Sequence, residues 1–273
     1  MTIRLCQRAS ASCGACCGLY NSVDHSRGAV EAELWRRTRA LARVPREEGA
    51  FRRAAAALAE DGPAPLFPSV RICPLLGFLD AAGERVGCLA HPLAAGGQDL
   101  RACGVYDVLT CEAFLCPSHA WLTEEEAQLC EAAALGWHLY GLVVTDVPFL
   151  RAVLGAVAAR TGARVERRHL AREPFRAALA RLLALKEELE PGSEGLFGAF
   201  KPGRDGEPVP RRIDYEALAR ETSPYDTILT CVGADPRSGN DLDRLEAEVR
   251  ARLDACAEAS APGRGGARRP VTP

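Results

Sequence analysis

The chain has 273 residues, 48% of them hydrophobic and 26% charged, the make-up of a globular protein with room for one large domain or two smaller ones. A formal net charge of −2 supplies no basic field for nucleic acid, and no apolar run approaches the roughly 18 residues of a membrane span. The opening Met1–Arg8 lacks the apolar stretch of a secretory signal, so the expected compartment is the cytoplasm.

Residues 1–28 hold Cys6, Cys13, Cys16 and Cys17 among glycines and small polar residues and read as irregular. Two helical stripes follow, Val30/Leu34/Leu41 and Phe51/Ala55/Leu58, the second stopped at Gly62. From Gly62 to about Pro117 the period is lost; Pro, Gly and Cys punctuate short apolar runs, with one short strand expected near Val105–Leu109. This cysteine-rich region, 1–122, has too little periodic apolar surface to hold one shape by packing, and metal bonds would supply the missing constraint.

A helical region, 123–190, comes next. Thr123 and Glu126 form a capping box, with Leu122 as staple, ahead of a helix to about Tyr140. Thr145 or Asp146 caps a helix with Phe149, Leu150, Val153, Leu154 and Val157 on one side. Phe175, Leu179, Leu182, Leu183 and Leu189 mark another, ended by Pro191-Gly192. Residues 191–212 read as a linker or long loop. A small α/β unit, 213–257, follows: a strand Thr227–Val232, then a helix carrying Leu242, Leu245, Val249 and Leu253. Residues 258–273 read as a disordered tail, and its Arg264, Arg268 and Arg269 as a solvated end. The expected fold is mainly α, with irregular metal-stapled loops and a small α/β element near the C-terminus.

Twelve cysteines is the informative number, and nine of them lie at or before Cys116. Cytosolic thiols stay reduced, so a dense set there favours metal or catalytic roles over disulfides. In Cys13-Gly-Ala-Cys16-Cys17-Gly18, the two-residue gap lets one turn present both Cys13 and Cys16 to one ion. Gly14 and Gly18 permit positive φ and leave amides free to bond the sulfurs. Adjacent side chains diverge, so one of Cys16 and Cys17 serves a second metal or stays a free thiol. Cys73, the pair Cys88/His91, Cys103, Cys111 and the pair Cys116/His119 add further donors, enough for one four-cysteine centre with several to spare, or for two. His91 is read as structural, as are His25, His138 and His169. Cys130, Cys231 and Cys256 fall within helix or strand patterns and are read as core.

The order Cys…Cys-Gly-x-Cys-Cys, then helices, then Cys-Pro-x-Leu…Cys-x-x-His and a further Cys, resembles the YkgJ-type cysteine-cluster family, described as a zinc- or iron-chelating domain. It is distantly similar to the cysteine set around a [4Fe–4S] cluster in a flagellin lysine methylase. The resemblance covers roughly residues 6–103 and implies Cys6, Cys13, Cys16, Cys17, Cys73, Cys88 and Cys103 as ligands. Its spacings are wider here than is usual in the family at Cys6–Cys13 and Cys73–Cys88. Cys111, Cys116 and His119 lie outside it and stand on spacing alone.

No phosphate loop, Gly-x-Ser-x-Gly elbow or His-Glu-x-x-His motif appears. Three functions remain. The first is an iron–sulfur protein, favoured as [4Fe–4S], with a redox, sensing or protein-modification-accessory role and an unknown protein partner. The second is a Zn2+-stapled interaction module without catalysis, and the third a thiol enzyme using Cys17 or Cys116. No catalytic residue can be named, and no membrane association is expected.

Overall fold

A computed structural model of the protein describes residues 5–133, 135–189 and 198–260. The Ser26 hydroxyl accepts the Ala29 amide at 3.4 Å and starts helix α1 (Arg27–Ala42). Its predicted stripe of Val30, Leu34 and Leu41 is buried, joined by Arg37. Helix α2 (Glu48–Glu60) buries Phe51, Ala55 and Leu58, as their spacing requires.

The stretch after α2 departs from expectation. Strands β1 (Leu76–Phe78) and β2 (Val86–Cys88) pair antiparallel, with Leu76 opposite Cys88. Their turn is held by the Asp80 carboxylate, which accepts the Ala82, Glu84 and Arg85 amides. β1 is buried on both faces, so no alternation announced it. Thr38 of α1 accepts the Phe78 amide at 2.8 Å, tying the hairpin to that helix.

The strand expected near Val105–Leu109 is absent. Asp107 instead accepts the Thr110 amide at 2.7 Å and caps helix α3 (Val108–Ala113). A local side-chain cap outweighs the β preference of two valines.

Helix α4 (Ser118–Trp121) leads to α5 (Glu124–Ala132), whose Thr123/Glu126 capping box is formed in both directions. The predicted helix to Tyr140 is broken. Gly136 has φ +70°, which a continuing helix cannot accommodate, and a second helix, α6 (Gly136–Val144), starts there, buried on nearly every side. Asp146 accepts the Phe149 amide and caps α7 (Val147–Thr161), which Gly162 ends at φ +72°. Helices α8 (Glu173–Leu183) and α9 (Leu185–Glu188) follow. Lys186 of α9 reaches back to Asp146 at 2.6 Å and to the Cys231 carbonyl at 2.8 Å, a buried pair with its donors used.

The stretch read as a linker, 191–212, holds an exposed hairpin of β3 (Phe200–Pro202) and β4 (Pro208–Pro210) in its described part. The predicted strand Thr227–Val232 is instead helix α10 (Asp226–Cys231), packed on α7. Its Ile228, Leu229 and Cys231 are buried, and so short a buried run carries no period that separates strand from helix. Helix α11 (Gly239–Ser260) lays Leu242, Leu245, Val249, Leu253 and Cys256 against α7 and α8. It continues through 258–260, which the sequence placed in a disordered tail. Residues 261–273 and the Pro191-Gly192 stop lie outside the described residues.

The chain is thus mainly α, with two short hairpins. The main core joins α5 to α11 and takes in Leu5, Ala11 and Cys13 from the N-terminal segment. Two smaller cores lie under α1 and α2. No single helix among the described residues is long and apolar enough to cross a membrane, and the most apolar pair, α6 and α7, is bent by 93°.

Candidate metal centre

All twelve cysteines are free thiols. The turn at their centre is a 3-10 helix, Ala15–Cys17, closed by Gly18 at φ +77°. Gly18 is required twice over: for that φ, and because a Cβ would strike the Arg71 carbonyl and lie 2.8 Å from the Ile72 Cα. Gly14 keeps negative φ, and its role is close packing against Leu76. The amide on the Cys13 sulfur comes from Ala15, at 3.4 Å, rather than from either glycine.

Cys6, Cys13, Cys16 and Cys116 act on one another near this turn. The Gln7–Ser12 bridge makes Cys6 and Cys13 cross-strand neighbours, with the Cys13 amide on the Cys6 carbonyl at 3.0 Å. Burial pushes the Cys13 thiol up to about 12, opposed by the Ala15 amide, and Cys6 and Cys116 raise it further. Protein packed around the Cys6 sulfur raises its thiol, Cys116 adds to that, and His119 Nε2 lies 3.9 Å away. Among the groups acting on it, Cys116 shifts Cys16 most, and Cys16 shifts Cys116 most. Cys16 is thereby raised and Cys116 lowered, the latter helped by the Ser118 hydroxyl and amide and by His119.

Cys17, Cys73, Cys88 and Cys111 also act on one another. The Cys73 amide donates to the Cys17 carbonyl at 2.9 Å, and Cys73 Sγ sits where a Cβ on Gly104 would be 3.2 Å from it. Burial raises Cys17 well above the ordinary thiol value, and Cys73, Cys88 and Cys111 add to it, with a smaller contribution from Cys6. Burial pushes Cys88 up to about 11, opposed by the Ala90 amide, with Cys73 and Cys111 raising it further. Cys111 is raised by its protein surroundings and then by Cys73. Tyr106 borders both groups: burial raises its hydroxyl first, then Cys17 and Cys73, with Cys16 contributing.

Cys6, Cys13, Cys16, Cys17, Cys88 and Cys111 are all raised, by burial and by neighbouring thiols, because thiolates crowded together repel. A bound cation would relieve that repulsion and displace the protons. The sulfurs of Cys13, Cys88 and Cys116 each accept an amide two residues on, the contact that steadies a ligating thiolate. As the side chains stand, no three His, Cys, Asp or Glu among the described residues close around one point tightly enough to hold a single ion.

The remaining sequence candidates lie elsewhere. Cys103 turns to the Glu48 carbonyl at 3.6 Å, and Arg52 and Glu48 are the charges that act on it. Cys103 lies in the same core as Cys73, with Cys17 and Cys88 packed against it. Cys130, Cys231 and Cys256 are buried in helices, as read. His91 accepts the Leu93 amide, His169 caps the turn at Glu166, and His25 meets the Ser22 carbonyl.

Sequence reasoning missed the supports. Arg37, 3% exposed, bonds Glu33 at 2.6 Å and the Cys73 carbonyl at 3.1 Å; its place on the apolar stripe of α1 was the available signal. Tyr20 donates to the His138 carbonyl at 2.9 Å, and His138 Nδ1 is bonded to Glu187. Gly141 of α6 has no room for a side chain, since the Tyr20 hydroxyl and Cys13 Sγ press on it. No local pattern marks either site.

No family model matches the chain, and neither a curated protein nor a solved structure matches it.

Proposed function

We propose that the protein is an iron–sulfur protein with a redox role. The observation behind this reading is the set of free thiols Cys6, Cys13, Cys16, Cys17, Cys73, Cys88, Cys111 and Cys116, of which Cys6 and Cys13 are cross-strand neighbours, Cys16 and Cys17 share one glycine-closed turn, and the Cys73 amide bonds the Cys17 carbonyl. Iron–sulfur clusters take about four thiolates each, and amides on the sulfurs tune them. A mononuclear zinc with bonds of about 2.3 Å would need its sulfurs closed tightly on one point. An iron–sulfur cluster passes single electrons. The chain's own residues supply the thiolates, and the Ala15 amide donates to the Cys13 sulfur.

Cys116 favours a second reading, a thiol enzyme, because its thiol is the one lowered, by Cys16, Ser118 and His119. The same side chain is also a ready ligand.

Anaerobic purification separates these outcomes. The expected result is a brown protein with broad visible absorption and equal amounts of iron and acid-labile sulfide. A colourless protein with stoichiometric zinc overturns the reading. A folded, metal-free protein with one fast-reacting thiol at Cys116 replaces it with the second.

A further inference from the structure

We infer that Cys6 and Cys13 are a thiol–disulfide pair, set opposite each other across the N-terminal hairpin so that a disulfide oxidant can join them. The bond itself follows from the backbone register; only its consequence for iron rests on the iron–sulfur reading above.

Two hydrogen bonds fix that register. The Arg8 amide donates to the Ala11 carbonyl at 2.9 Å and the Cys13 amide to the Cys6 carbonyl at 3.0 Å, one on each side of the Gln7–Ser12 bridge. Cys6 and Cys13 are therefore directly opposite, in the hydrogen-bonded position of an antiparallel pair, where Cα atoms stand about 5.5 Å apart. Disulfides most often join Cα atoms about 5.5–6 Å apart. The backbone already meets that requirement.

The side chains agree with it. Gln7 Nε2 donates to the Val86 carbonyl at 2.7 Å and the Ser12 hydroxyl accepts the Val86 amide at 2.9 Å, so this pair faces β2. Alternation along the strands turns Cys6 and Cys13 together to the other face. There His119 Nε2 lies 3.9 Å from Cys6 Sγ, and Cys13 Sγ lies 3.2 Å from where a Cβ on Gly141 would stand. The hairpin is pinned from three directions. Arg85 donates to the Ala9 and Arg8 carbonyls, each at 2.9 Å, Arg8 pairs with Glu131 at 2.6 Å, and Tyr140 donates to the Leu5 carbonyl at 3.0 Å. This anchoring holds the two thiols in register.

Exposure sets the order of events, because Cys6 is exposed and Cys13 buried. With glutathione disulfide as the oxidant, Cys6 gives its proton to His119 Nε2 and its sulfur attacks one sulfur of the oxidant, releasing a first glutathione thiolate that recovers the proton. Cys13 Sγ then attacks the Cys6 sulfur of the mixed disulfide, and its proton leaves with the second glutathione. Two protein thiols have become one disulfide, and one glutathione disulfide has become two glutathione molecules. Both sulfurs are thereby withdrawn from any metal, so this disulfide and a cluster ligated by Cys6 and Cys13 exclude each other.

The full-length chain, stripped of metal by a chelator, reduced, and then given one equivalent of glutathione disulfide, tests the pair; circular dichroism identifies any variant that fails to fold. Wild type is expected to lose two thiols per chain, to retain no glutathione, and to give the tryptic peptide Leu5–Arg8 linked to Ala9–Arg27, with fragmentation placing the bond at Cys13. Cys16→Ala and Cys17→Ala should keep that link. Cys13→Ala should lose it and carry glutathione on Cys6 instead. A wild-type Leu5–Arg8 peptide that stays reduced, or that is linked at any cysteine other than Cys13, would overturn the inference. The oxidised chain should also take up less iron from ferrous iron and sulfide than the same chain reduced again with dithiothreitol. Equal uptake would overturn the exclusion and leave the disulfide standing. No uptake by either form would overturn the iron–sulfur reading and again leave the disulfide standing.

Discussion

The helical body and the segment 104–121 are held by different forces. In the body, Leu179, Leu182 and Leu183 of α8 meet Leu245, Val249 and Leu253 of α11, and all six are 0% exposed. In the segment, Leu109, Phe114, Leu115 and Trp121 are 77%, 57%, 53% and 60% exposed. Apolar burial at about 25 cal/mol per Å² accounts for the first and contributes little to the second. Of the segment, Ser118 is buried and Cys116 half-buried, while Asp107 and Cys111 are exposed. On the proposed reading, its order comes from what those sulfurs bind.

The largest expected effect separates the two. Leu182→Ala should cost about 2–5 kcal/mol in equilibrium urea unfolding, because it opens a cavity in a fully buried interface. Iron per folded molecule should stay at the wild-type value. Loss of iron in step with the lost stability would show that body and centre fold as one unit.

Gly141→Ala gives a smaller effect that joins the two regions. By helix propensity alone, alanine inside α6 should gain about 0.5–1 kcal/mol over glycine. Here the added methyl meets the Tyr20 hydroxyl and Cys13 Sγ, so a net loss of about 1–3 kcal/mol is expected, with reduced iron content. Gly155→Ala in α7, where nothing lies within 4 Å of the new carbon, should show the propensity gain alone. Equal thermal shifts for the two would remove Gly141 as a support of Cys13.

How far the sequence reached follows the range of the forces. Caps at Thr123 and Asp146 and the stripes of α1, α2 and α11 were legible because each is decided within a turn or two of the chain. Short buried runs were not: β1 and α10 both present apolar residues on every side, and only tertiary partners choose between strand and helix. The cysteines raise the expectation of a centre by type and spacing, but which of them become neighbours depends on the Gln7–Ser12 bridge and the β1–β2 register, which are long-range. Cys103 has its thiol on the Glu48 carbonyl and lies in one core with Cys73, a placement that no local spacing announces.

The smallest effect concerns the support of Cys73 from α1. Burial works against the Glu33 charge, but hydrogen bonds from Arg36 at 2.7 Å and Arg37 at 2.6 Å outweigh it, and the Glu33 pKa falls below its ordinary 4.5. Asp61 acts on Arg36 from the end of α2. Glu33 thus binds its proton less firmly in the folded chain than in the unfolded one. Its stabilisation is complete above that ordinary value and disappears as the pH drops through the lower folded-state value. The Tm gap between wild type and Glu33→Gln should therefore be full near pH 7 and shrink below about pH 4.5. A gap that stays constant into acid would mean that the variant acts through packing. Above that range the carboxylate keeps Arg37 charged in a buried place, and Arg37 in turn holds the Cys73 carbonyl at 3.1 Å. In this way an ion pair on the α1 stripe positions a sulfur that the sequence places 36 residues further along the chain.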